Sequence, residues 1–199
     1  MADVSRDDAW QLVTEWIESD SLRKHLLGVE AAMRAYARKW GEDEEIYAVT
    51  GLVHDLDYER YPDLDTGHPR HAIKELEARG YPAEVIDAVA GHADFMGVPR
   101  ETRMAKTLYA VDELSGFVAA CALVRPTGIE GMKPKSVKKK LKQPSFAAAV
   151  SREEVARGID ELGVDPDEHI ALIIEALADR ADELGLAPGE QGAAAEAER

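Results

Sequence analysis

Five of the chain's six histidines fall between positions 25 and 92, at His25, His54, His68, His71 and His92, and Asp55 follows His54 directly. A further carboxylate, Asp112, interrupts the apolar run Leu108-Tyr109-Ala110-Val111-Asp112-Glu113-Leu114. On a helical reading, His25 shares a face with Leu22 and Val29, and Asp112 shares one with Met104 and Leu108, so both point inward. A carboxylate taken out of water is costly unless it meets a cation, which makes a salt bridge or a metal ion the two readings of Asp112. Imidazoles and carboxylates together suit iron, manganese, zinc, cobalt or magnesium. The single Cys121 leaves no disulfide framework and no multi-cysteine zinc or iron–sulfur site, so a mixed nitrogen–oxygen set is the one well-supplied option. Each residue alone also has a plainer reading: His25 as a hydrogen-bonded core histidine, His54-Asp55 as a common dipeptide, His68 and His92 as surface or capping residues.

The elements that must position these groups read as helices throughout. Trp10, Val13, Trp16 and Ile17 mark a first amphipathic helix. Ser19, Asp20 or Ser21 then caps a second, whose stripe runs from Leu22 to Trp40 and stops at Gly41. A third runs from about Glu42 to Leu56, followed by a polar loop from Tyr58 to Gly67. His68-Pro69 opens the next helix, with Pro69 in its first turn, and Gly80 closes it. Pro82 starts another that leads to Gly91-His92. A long helix spans Arg100 to about Val124, and two more cover Arg152–Leu162 and Pro166–Leu184. No alternating strand pattern or fixed-period repeat appears. The expected fold is all-α: a helical domain over residues 1–126, a helical extension over 127–186 packing on the same domain, and a disordered tail over 187–199.

In that setting the order His25, His54-Asp55, Asp112 resembles the HD superfamily of metal-dependent phosphohydrolases, over roughly Ser21 to Pro126. Leu52-Val53-His54-Asp55-Leu56-Asp57 matches the segment of two apolar residues followed by His-Asp. His68-Pro69-Arg70-His71 and Gly91-His92 match the positions that carry extra histidines in some members. The resemblance implies a helical bundle with a site for divalent ions. His25, His54, Asp55 and Asp112 would hold one metal, His68 and His92 would complete a second, and Asp55 would bridge them, with His54 and Asp55 as the catalytic pair. It implies a hydrolase for a small phosphorylated molecule, a nucleotide among the candidates. A diiron oxygenase of the same fold and a nucleotide-sensing module without turnover are the alternatives, because fold and ligands do not choose the chemistry.

Other residues fill in the expected site. His71, one turn after His68, reads as a substrate contact, a competing ligand or a plain surface histidine. Asp57 reads first as an exposed aspartate near a helix end and second as a hydrogen-bond partner of a ligand. His169 lies outside the matched segment and reads as structural. Arg23, Lys24 and Arg70 lie close to ligand positions, and Tyr58, Tyr61 and Phe95 could stack on a base. The stretch Lys133 to Lys142 holds six lysines and no acid in a chain of net charge −15. Lys133 and Lys135 read equally as phosphate contacts and as solvated surface, whereas Lys139 and Lys140 favour the latter.

So negative a chain argues against nucleic acid or anionic membrane as a partner. With no apolar signal core and no apolar run of spanning length, the expected location is the cytoplasm. Substrate identity and oligomeric state are not legible.

Overall fold

The computed structural model describes residues 4–189, so residues 190–199 of the expected tail lie outside the described residues. Among the described residues there are ten α-helices and no strand. Two compact units divide the chain, one up to Tyr109 and one from Ala110 onward.

The first unit holds α1 (Arg6–Trp16), α2 (Asp20–Trp40), α3 (Glu44–Val53), α4 (Arg70–Ala78), α5 (Ala83–His92), a 3-10 turn (Asp94–Met96) and the start of α6 (Arg103–Leu123). Its helix ends follow local chemistry. Ser5 and Asp8 form a reciprocal capping box on α1. The Ser19 hydroxyl accepts from Leu22 N at the start of α2, and Gly41 ends that helix at φ 68°. Asp43 caps α3, placing its start two residues later than the apolar pattern suggested.

Leu26, Val29, Met33 and Tyr36 of α2 are fully buried with Val49, Leu52 and Val53 of α3, and α3 lies along α2. Each such side chain contributes about 1.5–3 kcal/mol through removal from water. A side chain at Gly51 would put Cβ 3.0 Å from the backbone of Glu30, so glycine is what allows the close α2–α3 approach. Glu30 itself is buried, and its carboxylate accepts from Arg6 Nε at 3.0 Å and Arg34 Nε at 3.2 Å. Trp10, Trp16 and Trp40, expected on inward stripes, are half-buried, each beneath a guanidinium: Arg6, Arg60 and Arg103 respectively.

The second unit comprises the rest of α6, α7 (Pro134–Leu141), α8 (Arg152–Leu162), α9 (Pro166–Ala178) and α10 (Ala181–Leu184). Its core includes Leu114, Phe117, Val137, Ile170, Ile173 and Leu177. The helix expected over Pro166–Leu184 is two: Arg180 leaves helical geometry at φ −121° between α9 and α10, and no helix-breaking residue marks the spot. His169 is fully buried, with Nε2 3.1 Å from the Ala110 carbonyl, which fits its structural reading.

Among the described residues, no helix is long and apolar enough to cross a membrane.

Candidate metal centre

Four of the first unit's histidines come to one carboxylate. The sequence extends α3 to Leu56, but the helix stops at Val53 and the chain continues in tight turns, with Leu56 N donating to Val53 O and Tyr58 N to Asp55 O. His54 therefore sits at the C-cap of α3, where the last carbonyls of a helix lack partners within it. Its Nδ1 lies 2.9 Å from the Gly51 carbonyl. His92, the last residue of α5, repeats the device, with Nδ1 on the Val89 carbonyl. A carbonyl can only accept, so in both rings Nδ1 carries the hydrogen and Nε2 keeps a lone pair.

The Nε2 atoms of four rings face Asp55. His54 Nε2 lies 3.5 Å from Asp55 Oδ2, and His25 Nε2, from the interior of α2, lies 4.0 Å from the same oxygen. His68 Nε2 and His92 Nε2 lie 3.5 and 3.4 Å from the other oxygen, Oδ1. Two triads result, His25–His54–Asp55 and Asp55–His68–His92, with the ligand atoms of each within 4.8 Å of one another. The rings stand edge to face, with centroids 5.4 Å apart for His25–His54 and 5.1 Å for His68–His92. His54, His68 and His92 are buried, whereas the His25 side chain is 22% exposed, at the rim of the core rather than within it. Neutral imidazole nitrogens and a carboxylate turned toward one space repel unless a cation sits among them. The donor set, nitrogen and oxygen without sulfur, fits a divalent transition metal.

The approach to His68 depends on the loop before it. His68 N donates to Tyr61 O and Gly67 N to Asp63 O, both at 2.8 Å. A Cβ on Gly67 would lie 2.3 Å from the Tyr61 carbonyl oxygen, so no larger residue closes this loop. Thr66 donates from both its backbone N and its hydroxyl to Asp63 Oδ1, which holds the Asp63 carboxyl below the ordinary carboxylate range. Pro69 stands at the N-cap of α4, one position earlier than expected, and the helix begins at Arg70.

Asp57 corrects the sequence reading most sharply. It is fully buried, not an exposed aspartate at a helix end. Oδ1 accepts from His68 Nδ1 at 2.8 Å, and Oδ2 accepts from the backbone N–H groups of His71 and Ala72 at 3.0 and 2.8 Å. The structure favours the second sequence reading, a hydrogen-bond partner of a ligand, over the first, which extending α3 through Leu56 suggests. A signal for it was nonetheless present, in a second acid directly after the buried Leu56.

The remaining candidates fall as follows. His71 is half-buried and stacks on Tyr61, with centroids 3.8 Å apart and planes 11° from parallel. Arg70 donates to the Leu64 carbonyl and lies 5.9 Å from the Phe95 ring centroid. Tyr58, Tyr61 and Phe95 are exposed, and Tyr58 meets the His68 ring edge to face. Arg23 is spent on the Ile17 and Thr14 carbonyls at the end of α1, and Lys24 pairs with Asp20. Asp112 is half-buried on α6, in the second unit. In that unit the lysine run forms α7, with Lys133 and Lys135 exposed, Lys138 bonded to Asp167 and Lys140 over the Phe146 ring.

No curated protein and no solved structure matches the chain. A family model described as the HD domain matches residues 22–116, a span that contains both triads. The chain therefore matches the HD domain over residues 22–116, and the four imidazoles gathered on Asp55 within that span are consistent with the domain's metal site.

Proposed function

We propose that this protein is a metal-dependent phosphohydrolase that releases phosphate from a small phosphorylated molecule, with nucleotides among the candidate substrates. The observation that carries the reading is the sharing of Asp55. Its Oδ2 faces His25 and His54 while its Oδ1 faces His68 and His92. One carboxylate placed this way can serve two ions, with His25 and His54 holding one and His68 and His92 the other. The position of Asp112 in the family pattern makes it the sixth proposed ligand, and Asp112→Asn tests that assignment by metal content.

Held by these residues, two divalent ions would lower the pKa of a bound water toward neutrality and would neutralise charge on a phosphoryl group. The chain's own residues supply orientation. The Gly51 and Val89 carbonyls fix the tautomers of His54 and His92, so both rings meet the site with a lone pair. Packing of Leu52, Val53 and Leu56 keeps the doublet in place. An anionic substrate approaching a chain of net charge −15 needs local positive potential, which bound ions would supply. Arg70 and His71 beside the His68 half, and Lys133 and Lys135 at the start of α7, are the proposed substrate contacts. The buried Cys121, the only cysteine, suits the reducing cytoplasm proposed as the location.

The test is a phosphate-ester panel that includes nucleotides, run with metal-loaded protein in air and without oxygen. Phosphate release that persists without oxygen and disappears in His54→Ala supports the reading. Turnover that stops without oxygen identifies the diiron oxygenase instead, and tight nucleotide binding with no turnover of any ester identifies the sensing module.

A further inference from the structure

We infer that Asp57 is a positioning residue that makes the His68/His92 half of the site depend on the first turn of α4, so that the two triads differ in affinity. The inference rests on the reading of the two triads as metal sites. Pro69 at the N-cap of α4 offers no side-chain acceptor, yet His71 N and Ala72 N, the second and third amides of the helix, still require partners. Asp57 reaches from the turn after the doublet and accepts from both with Oδ2. Its negative charge also lies at the positive end of the helix.

The other oxygen accepts from His68 Nδ1, and a carboxylate that only accepts fixes the hydrogen on Nδ1 and the lone pair on Nε2, the atom facing Asp55. One carboxylate thus performs two tasks, capping α4 and orienting His68. In the other buried rings of the two triads, His54 and His92, Nδ1 meets the peptide carbonyl three residues back, a neutral acceptor. A charged acceptor makes the imidazole a stronger donor to metal than a neutral one does.

Asparagine cannot replace this group. Its single oxygen can face His68 or the two α4 amides, and its NH2 then confronts donors on the other side. The experiment is a titration of the metal-free full chain with Co²⁺, read by calorimetry and visible absorption, in wild type, Asp57→Asn and His92→Ala. Wild type takes up two equivalents. Asp57→Asn keeps one equivalent at unchanged affinity and loses about 10–100-fold at the other, as partners of metal-bound histidines typically do. His92→Ala loses that same equivalent. Both equivalents bound by Asp57→Asn as in wild type overturn the inference and leave the proposed function standing, whereas fewer than two bound by wild type overturns both.

A second measurement needs no variant. Long-range ¹H–¹⁵N spectra of the metal-free wild type report the His68 tautomer, with Nδ1–H expected. An Nε2–H tautomer at His68 overturns the inference even if Asp57→Asn fails to fold.

Discussion

His54 Nε2 lies 3.5 Å from Oδ2 of Asp55, its neighbour in the chain. Adjacent residues on a helix point about 100° apart, so the contact requires both side chains to turn toward one another. His54, the C-cap of α3, keeps helical backbone at φ −61° and ψ −39°, and its ring is held by Nδ1 on the Gly51 carbonyl, which leaves Nε2 turned to Asp55.

Asp55 is therefore the residue on which both triads depend. Asp55→Ala is expected to weaken metal binding at both by more than about 100-fold, beyond the range seen for indirect partners. His25→Ala should affect only one of two equivalents. Metal content after gel filtration, measured for both variants beside wild type, checks the difference. Equal losses in the two would argue against a shared carboxylate.

The close approach of α2 and α3 gives a second expectation. A Cβ at position 51 would stand 3.0 Å from Glu30 N and Cα and 3.2 Å from Met33 Cγ. The backbone cannot yield as a flexible side chain would. Gly51→Ala should destabilise the fold by about 1–3 kcal/mol, the usual cost of overpacking. Urea unfolding followed by circular dichroism measures it, and an unchanged midpoint would refute the tight crossing.

How far the sequence reaches is clear from these same residues. Helical periodicity and caps located α2, α5 and α8 closely, because their stripes and stop signals agree. Spacing and resemblance singled out His25, His54, Asp55, His68 and His92, which the structure gathers. Asp57 reads first as exposed because nothing in the sequence marks where α3 stops: the turn from Val53 to Arg60 carries no glycine or proline. Glu30 was invisible for a different reason. Its burial depends on Arg6 and Arg34 arriving together, and Arg6 comes from a separate helix. The break at Arg180 likewise has no local cause in the sequence.

Alkaline stability follows from two buried phenols. Burial pushes Tyr47 and Tyr81 up to about 12 from the ordinary 10.0. A folded-state value above the unfolded one means the native state holds its proton longer. The stabilisation is then complete below pH 10 and is lost as pH rises from about 10 toward 12. Tyr47→Phe and Tyr81→Phe should each flatten the fall in melting temperature over that window. A fall of the same slope in both variants would contradict the assignment.

Cys121 should be inert. It is 4% exposed, and burial pushes its thiol up to about 11. The thiolate is the reactive form, so at pH 7 it is scarce as well as shielded. A thiol reagent such as DTNB should label the folded chain slowly and the urea-unfolded chain at once. Rapid labelling of the folded chain would show that the helix around Cys121 opens readily.

The central claim is that Asp55 is the carboxylate common to two metal sites. Anomalous scattering from a crystal grown with Mn²⁺ tests it directly. The expected result is a pair of peaks about 3.5–4 Å apart, the separation of two-metal hydrolytic sites, one beside Asp55 Oδ2 with His25 and His54 and the other beside Oδ1 with His68 and His92. A metal-replete crystal with no peak among these five residues would contradict it.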